Sequence, residues 1–167
     1  MSRLLLSVFV FVSVAVDVQA QRVLWSRNGD VINGQLGTKL AAAGEIDGDG
    51  ASDLLATAPN VNGVVGRVLL LSGRSGALLR TFTDGIFNSG FGSDATGIDD
   101  CNGDGIRDVV VGANGRGTLY FYSGASGAVI RAVQGTQGGF GSALCSAGDV
   151  NGDGRGDVAA FGSVRVD

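Results

Sequence analysis

Beyond residue 20, apolar residues come along this chain in short runs of four to six, and none of the runs carries the three-to-four spacing of an amphipathic helix. Leu54 to Ala58, Val68 to Leu71, Val109 to Ala113, Leu119 to Tyr122 and Val158 to Gly162 are rich in β-branched, aromatic and small residues. Segments of Gly, Ser, Asn and Asp bound them, which predicts strands joined by turns. Two runs lead through a five-residue turn of fixed composition, Ser72-Gly73-Arg74-Ser75-Gly76 and Ser123-Gly124-Ala125-Ser126-Gly127, into Ala77-Leu78-Leu79 and Ala128-Val129-Ile130. These read as hairpins. Val23-Leu24-Trp25-Ser26, the turn Arg27-Asn28-Gly29-Asp30 and Val31-Ile32 look like a third hairpin, which sets Trp25 level with Leu71 and Tyr122 as outer-strand packing residues.

A second kind of segment recurs between the runs. Glu45 to Asp53, Asp100 to Asp108 and Asp149 to Asp157 each place an oxygen-bearing side chain at positions 1, 3, 5 and 9 and a glycine at position 6. Oxygens at alternate positions of a coiled loop converge on one hard cation, position 7 adds a backbone carbonyl, and glycine permits the sharp turn. The ligand sets are Glu45, Asp47, Asp49, Ala51 and Asp53; Asp100, Asn102, Asp104, Ile106 and Asp108; and Asp149, Asn151, Asp153, Arg155 and Asp157. The expected cofactor is Ca²⁺, one per loop and up to three in all. The glutamate that an EF-hand carries at position 12 is missing, since Ala56, Val111 and Ala160 stand there, and an apolar β run follows each loop where an EF-hand continues into a helix.

Before each loop lies a stretch of small residues: Ala41-Ala42-Ala43-Gly44, Ala95-Thr96-Gly97 and Ser146-Ala147-Gly148. So little side-chain volume suits strands that converge at a crowded centre. One module is strand, acidic loop, strand, strand, tight turn, strand, repeated about every 50 residues, the size of one β-propeller blade. The fold class is all-β, a propeller with four-stranded antiparallel blades, of which residues 34–90 and 91–139 supply two and 140–167 part of a third. About two and a half blades form an incomplete ring. The hairpin at 22–33 is expected to close such a ring. Because a ring takes at least about four blades, the chain is expected to be the N-terminal piece of a longer protein whose further blades are its partners; borrowing edges from other copies of itself is the alternative.

Composition sharpens this picture. The 30 glycines accompany a single proline and clear strand patterning, so tight turns account for them. The net charge is −4, and 11 of the 16 acids are Glu45, Asp47, Asp49, Asp53, Asp99, Asp100, Asp104, Asp108, Asp149, Asp153 and Asp157, in or beside the three loops. No basic footprint for nucleic acid is present. With no His, a single Lys (Lys39) and its carboxylates committed to cations, the chain offers no acid-base or nucleophilic constellation, and no enzyme activity is expected.

Residues 1–20 read as a secretory signal peptide. Arg3 gives the positive start, Leu4 to Val16 the apolar stretch and Val18-Gln19-Ala20 the small residues of a cleavage site. Thirteen residues are too few to span a bilayer, no other segment reaches that length, and residues 21–167 are expected to be secreted or extracellular, periplasmic or cell-surface locations being of the same kind. Cys101 and Cys145 then meet an oxidising compartment, where they either link neighbouring modules or stay two separate thiols.

Phe91-Gly92 and Phe140-Gly141, each nine residues ahead of an acidic loop, together with Gly-Asp-x-Asn-Gly-Asp-Gly-x-x-Asp and the Val-Gly-Ala of Val111-Gly112-Ala113, resemble the FG-GAP repeat. That repeat builds the seven-bladed propeller of integrin α subunits and occurs in many secreted bacterial proteins. Leu36 for Phe and Glu45 for Asp depart from it in the first copy, which predicts weaker cation binding there. The resemblance implies structural Ca²⁺ in the loops and a binding or adhesion scaffold for a protein or carbohydrate ligand. The alternative is the accessory propeller of a secreted carbohydrate-active or other hydrolytic enzyme. Arg155-Gly156-Asp157 spells an adhesive tripeptide, but Asp157 is position 9 of the third loop, so its carboxylate is expected to face inward.

Overall fold

The computed structural model describes residues 23–29, 34–59, 65–136 and 139–162. The signal peptide at 1–20, the second strand of the 22–33 hairpin and the stretch 163–167 lie outside the described residues. No helix among the described residues is long and apolar enough to cross a membrane.

Ten strands follow one another: β1 (Leu40–Gly44), β2 (Asp53–Ala58), β3 (Arg67–Leu71), β4 (Leu78–Phe82), β5 (Phe91–Ile98), β6 (Asp108–Ala113), β7 (Thr118–Tyr122), β8 (Val129–Gln134), β9 (Ala143–Gly148) and β10 (Asp157–Phe161). They make two four-stranded antiparallel sheets in simple sequential order, β1-β2-β3-β4 and β5-β6-β7-β8, and a two-stranded sheet of β9 and β10. The chain forms part of a β-propeller, and the described residues do not close a ring.

Alternation along each strand sends neighbouring residues to opposite faces of a blade. In the first sheet Leu55, Val68, Leu70 and Phe82 face the second and meet its Phe91, Ala95, Val109, Val111 and Tyr122 in one buried cluster. The intervening residues Leu69 and Leu71 face the other way, where Trp25, Leu36 and Leu54 cover them. The second sheet repeats the design, with Val110, Leu119 and Phe121 against Phe140, Leu144, Val158 and Ala160 of the third. Ring contacts reinforce the first junction: Phe82 and Tyr122 stand 4.9 Å apart, and Tyr122 donates its hydroxyl to the Thr83 carbonyl at 3.1 Å.

The small residues ahead of the loops have a steric cause. A Cβ built on Gly97 would lie 2.4 Å from the Ala43 carbonyl oxygen, so β1 and β5 approach almost backbone to backbone. Contacts this close exclude any side chain and place the small-residue strands where the sheets converge.

Trp25 departs from the equivalence with Leu71 and Tyr122. Those two end β3 and β7, whereas residues 23–29 form no strand. The Trp25 ring instead covers the β3–β4 turn, 2.6 Å from where a Cβ on Gly76 would sit, and its Nε1–H donates to the Gly73 carbonyl at 2.9 Å. The two cysteines are unbonded. Leu144 packs toward the second sheet beside Cys101, so alternation in β9 turns Cys145 to the far face, where it is exposed.

Candidate metal centres

Each acidic loop joins the first two strands of its sheet, and its own carboxylates fold it. In the second loop Asp100 Oδ1 accepts the Gly103 N–H at 2.7 Å and its Oδ2 the Gly105 N–H at 2.7 Å; Asn102 Oδ1 accepts the Asp104 N–H and Asp104 Oδ1 the Ile106 N–H. The third loop repeats these bonds residue for residue, with Asp149 accepting from Gly152 and Gly154, Asn151 from Asp153, and Asp153 from Arg155. In the first, Glu45 Oε1 accepts from Gly48 and Asp49 Oδ1 from Ala51. Gly103 and Gly105, at φ 84° each, adopt the left-handed conformation that this winding needs.

Hydrogen bonds within the second and third loops favour the ionised forms of three acids. The Gly105 N–H on Asp100 and the Gly154 N–H on Asp149 are the leading causes that keep those carboxyls below the usual 3.8, and the Asn102 side chain does so for Asp104.

Position 9 has a bracing task that the spacing alone did not reveal. Asp53 and Asp108 are 1% and 0% exposed. Asp108 Oδ2 accepts the Cys101 N–H at 2.8 Å and its Oδ1 the Gly124 N–H at 3.1 Å, which ties the start of the loop to the β7–β8 turn. Asp53 does the same for Ile46 and Gly73. Two hydroxyls, Ser72 on Asp49 Oδ2 at 3.2 Å and Ser123 on Asp104 Oδ2 at 3.0 Å, complete the junction. The sequence signal for Ser72 and Ser123 was the fixed turn composition, read for its shape and not for its hydroxyl.

Ligand atoms of Glu45, Asp47 and Asp49 lie within 4.8 Å of one another, and so do those of Asp100, Asp104 and Asp108. Oxygens each about 2.3–2.6 Å from one Ca²⁺ stand at most about 5 Å apart. An all-oxygen donor set of this size fits a hard cation, and the buried Glu45 Oε2, which has no hydrogen-bond partner, is the oxygen such an ion would satisfy. Asp53 stays outside the first group. Asn102 lends its amide nitrogen to Asp104 Oδ2 at 2.9 Å, and for Ala51, Ile106 and Arg155 the recorded bond is the N–H to the position-5 carboxylate.

Among the described residues Asp149, Asp153 and Asp157 form no such close group. Among the described residues no hairpin turn lies beside them to supply the serine and the glycine N–H that clamp the other two loops. Asp157 Oδ2 accepts the Val150 N–H at 3.0 Å, so the carboxylate of Arg155-Gly156-Asp157 is engaged inside its own loop.

A family model described as FG-GAP-like repeat matches residues 100–160. Integrin alpha-3 of Mus musculus is 33% identical over 131 residues, 71% of this chain and 12% of that protein. Integrin alpha-PS2 of Drosophila melanogaster is 38% identical over 121 residues, 61% of this chain and 9% of that protein. The chain is an FG-GAP repeat protein of integrin α-like kind. It spans about a tenth of the length of the curated relatives it matches. The Phe-Gly pairs and Gly112 make contacts between blades. Phe91 and Phe140 pack against the blade before them, and Gly141 of one repeat meets Gly112 of the preceding one.

Proposed function

We propose that this FG-GAP segment is an extracellular, calcium-stabilised binding and adhesion scaffold whose acidic loops are structural cation sites. The observation that carries the reading is the convergence of Asp100, Asp104 and Asp108 and of Glu45, Asp47 and Asp49 within 4.8 Å, each loop locked to the following hairpin. A bound ion would neutralise the crowded carboxylates. Glu45, Asp47 and Asp49 would hold the first, Asp100, Asn102, Asp104 and Asp108 the second, and Asp149, Asn151, Asp153 and Asp157 the third.

Antiparallel order puts the acidic loops and the β3–β4 and β7–β8 turns at one end of the strands. The β4–β5 and β6–β7 connections lie at the other end. There Arg116 N–H donates to Ser89 O at 3.1 Å, pinning two connections together, and Phe87 is 64% exposed. A protein or carbohydrate ligand is best served by this end, where loops vary without disturbing the blades. Secretion through residues 1–20 and continuation into further blades belong to the same proposal.

The test is a thermal melt of residues 21–167 in 1 mM Ca²⁺ and in excess chelator, with calorimetric titration of the ion. Extracellular modules bind Ca²⁺ with Kd of about 10⁻⁴–10⁻³ M, so each site contributes roughly 0.4–1.4 kcal/mol at 1 mM. A melting temperature lower by several degrees in chelator supports the reading. A folded chain indifferent to chelator overturns it.

A further inference from the structure

Asn-Gly occurs six times in the chain. Asparagine is thermolabile, and a following glycine has no Cβ to obstruct closure of an imide ring. Asn28-Gly29, Asn33-Gly34 and Asn62-Gly63 lie at or beyond the limits of the described residues. The other three are Asn102-Gly103 and Asn151-Gly152, at positions 3 and 4 of the second and third acidic loops, and Asn114-Gly115 in the tight turn between β6 and β7.

Exposure and hydrogen bonding rank these three pairs in opposite orders. Asn102, Gly103, Asn151 and Gly152 are all exposed, whereas Asn114 is half-buried. The acidic loops nevertheless withhold both reacting groups. The nucleophile is the glycine nitrogen, which must lose its proton, and the electrophile is the asparagine carboxamide, which must swing onto that nitrogen. Gly103 donates its N–H to Asp100 Oδ1 at 2.7 Å, and Gly152 donates its N–H to Asp149 Oδ1 at 2.7 Å. A carboxylate at that distance makes the N–H harder to deprotonate, since the anion would face a like charge. Both carboxamides are pinned at two ends. Asn102 Oδ1 accepts the Asp104 N–H at 2.8 Å while its Nδ2 donates to Asp104 Oδ2 at 2.9 Å, and Asn151 makes the same two bonds to Asp153 at 2.8 and 3.3 Å.

Asn114-Gly115 carries neither restraint. Among the described residues neither the Gly115 N–H nor the Asn114 carboxamide has a hydrogen-bond partner. Both adjoin Gly90: a Cβ there would stand 2.1 Å from Asn114 Oδ1 and 2.6 Å from the Gly115 nitrogen, so the two groups are neighbours over a residue without a side chain. Arg116 is exposed and puts a cation one residue beyond the nitrogen that turns anionic.

We propose that Asn114 is a self-modification site, at which the turn converts to isoaspartate or aspartate while Asn102 and Asn151 are held unchanged. The Gly115 nitrogen gives up its proton to solvent and bonds to Asn114 Cγ. The Cγ–Nδ2 bond breaks, and Nδ2 takes a proton and leaves as ammonia. Water then opens the cyclic imide at one of its two carbonyls. Opening at Cγ gives aspartate with an ordinary backbone; opening at the main-chain carbonyl gives isoaspartate, whose chain runs through Cβ and Cγ and is one carbon longer. Water enters, ammonia leaves, and no oxidation state changes.

Either product adds a negative charge to an exposed turn. The longer chain also breaks a junction. The Arg116 N–H is shared by the carbonyls of Ala113 and Ser89, both at 3.1 Å, and so pins this turn to the β4–β5 connection. With an extra carbon between Ala113 and Arg116 the N–H no longer reaches both, and the connection that carries the exposed Phe87 is released. An altered binding surface is a consequence that rests on the ligand role proposed for this end of the strands; the conversion itself does not.

The chain is incubated at mildly alkaline pH, in buffer and in denaturant. Each Asn-Gly peptide is followed by mass spectrometry, with enzymatic methylation of isoaspartyl carboxyls as a second readout. In denaturant the three pairs should convert at similar rates. In buffer Asn114 should convert about ten- to a hundredfold faster than Asn102 and Asn151, the range for breaking a charge-assisted bond. Asp100→Ala deletes the acceptor of the Gly103 N–H, and should raise Asn102 toward the rate of Asn114 while leaving Asn114 and Asn151 unchanged. The isoaspartate form, separated by its added charge, should exchange the Arg116 amide about tenfold faster than the unconverted chain. Asn114→Asp, which has the charge on an ordinary backbone, should not. Asn102 or Asn151 converting in buffer as fast as Asn114 overturns the proposal, and an Arg116 amide still protected in the isoaspartate form overturns the release of the connection. None of these rates depends on a ligand or a cation, so failure of the calcium or adhesion reading leaves them standing.

Discussion

Gly112 in β6 lies against Gly141 in the turn before β9, so close that a Cβ on Gly112 would stand 2.0 Å from the Gly141 carbonyl oxygen. Ser93 donates its hydroxyl to the same carbonyl at 2.8 Å, which fixes the approach from a second direction. The two glycines are the points at which one repeat is seated on the next.

Gly112→Ala therefore tests how rigidly the blades are joined. Gly112 does not have a positive φ, so alanine is acceptable to its backbone and the cost arises from the clash alone. We expect a loss of about 1–3 kcal/mol, the range for overpacking, read as a lower melting temperature. Gly37→Ala, with nothing within 4 Å of its added Cβ but φ at +89°, isolates the backbone cost and should lose about 1 kcal/mol. Equal and small losses would show that the junction yields.

Asp108 is the best single test of how the loop is joined to its blade. Its carboxylate accepts backbone N–H groups from Cys101 and Gly124 and is fully buried. Asp108→Asn presents an NH₂ to one of those donors and should cost about 1–3 kcal/mol even in chelator. Asp104→Asn alters an exposed side chain and should matter chiefly when Ca²⁺ is present. A chelator melt that is the same for both substitutions would remove the structural role assigned to position 9.

The strands and the acidic loops were legible because each is written locally. Val109-Val110-Val111 and the 1, 3, 5, 9 spacing need no partner to be recognised. The small residues before the loops were legible in kind, since a strand without side chains implies a crowded neighbour, although only the structure pairs Gly97 with Ala43. What sequence did not give is set by contacts across long separations. Trp25 and Gly73 are 48 residues apart, Arg80 and Gly124 are 44 apart, and nothing near Trp25 distinguishes an outer strand from a ring laid on a turn. The bracing role of Asp53 and Asp108 was hidden for the same reason: the spacing is the same whether position 9 faces a cation or braces a turn.

The cysteines should behave as two unlike thiols. Cys145 is exposed on the far face of β9 and should react rapidly with a thiol reagent near pH 8. Burial, with the neighbouring Asp108 carboxylate, pushes the Cys101 thiol up to about 12, so little thiolate is present and its reaction should be far slower. Two thiols titrated at very different rates, and a melting temperature unaffected by reductant, are the expected results. A mass two hydrogens short that reductant restores would mean that the pair is oxidised, which requires β9 to turn its other face.

Acid should loosen the cation-free chain through its loops. The folded-state values for Asp100, Asp104 and Asp149 lie below the ordinary 3.8, so folding favours their charged forms. That contribution is present in full above 3.8 and is lost as pH falls below it through the folded values, because the unfolded chain then binds protons that the folded chain still refuses. In chelator the melting temperature should hold between about pH 6 and pH 5 and decline below about pH 4. Asp100→Asn removes the carboxylate that collects the Gly103 and Gly105 N–H groups, and should start lower but fall less steeply with acid. With Ca²⁺ present the decline should begin at higher pH for the unsubstituted chain, since protons then compete with the ion for the same oxygens. Parallel acid curves for Asp100→Asn and the unsubstituted chain would show that the network of N–H groups around Asp100 does not set the pH response.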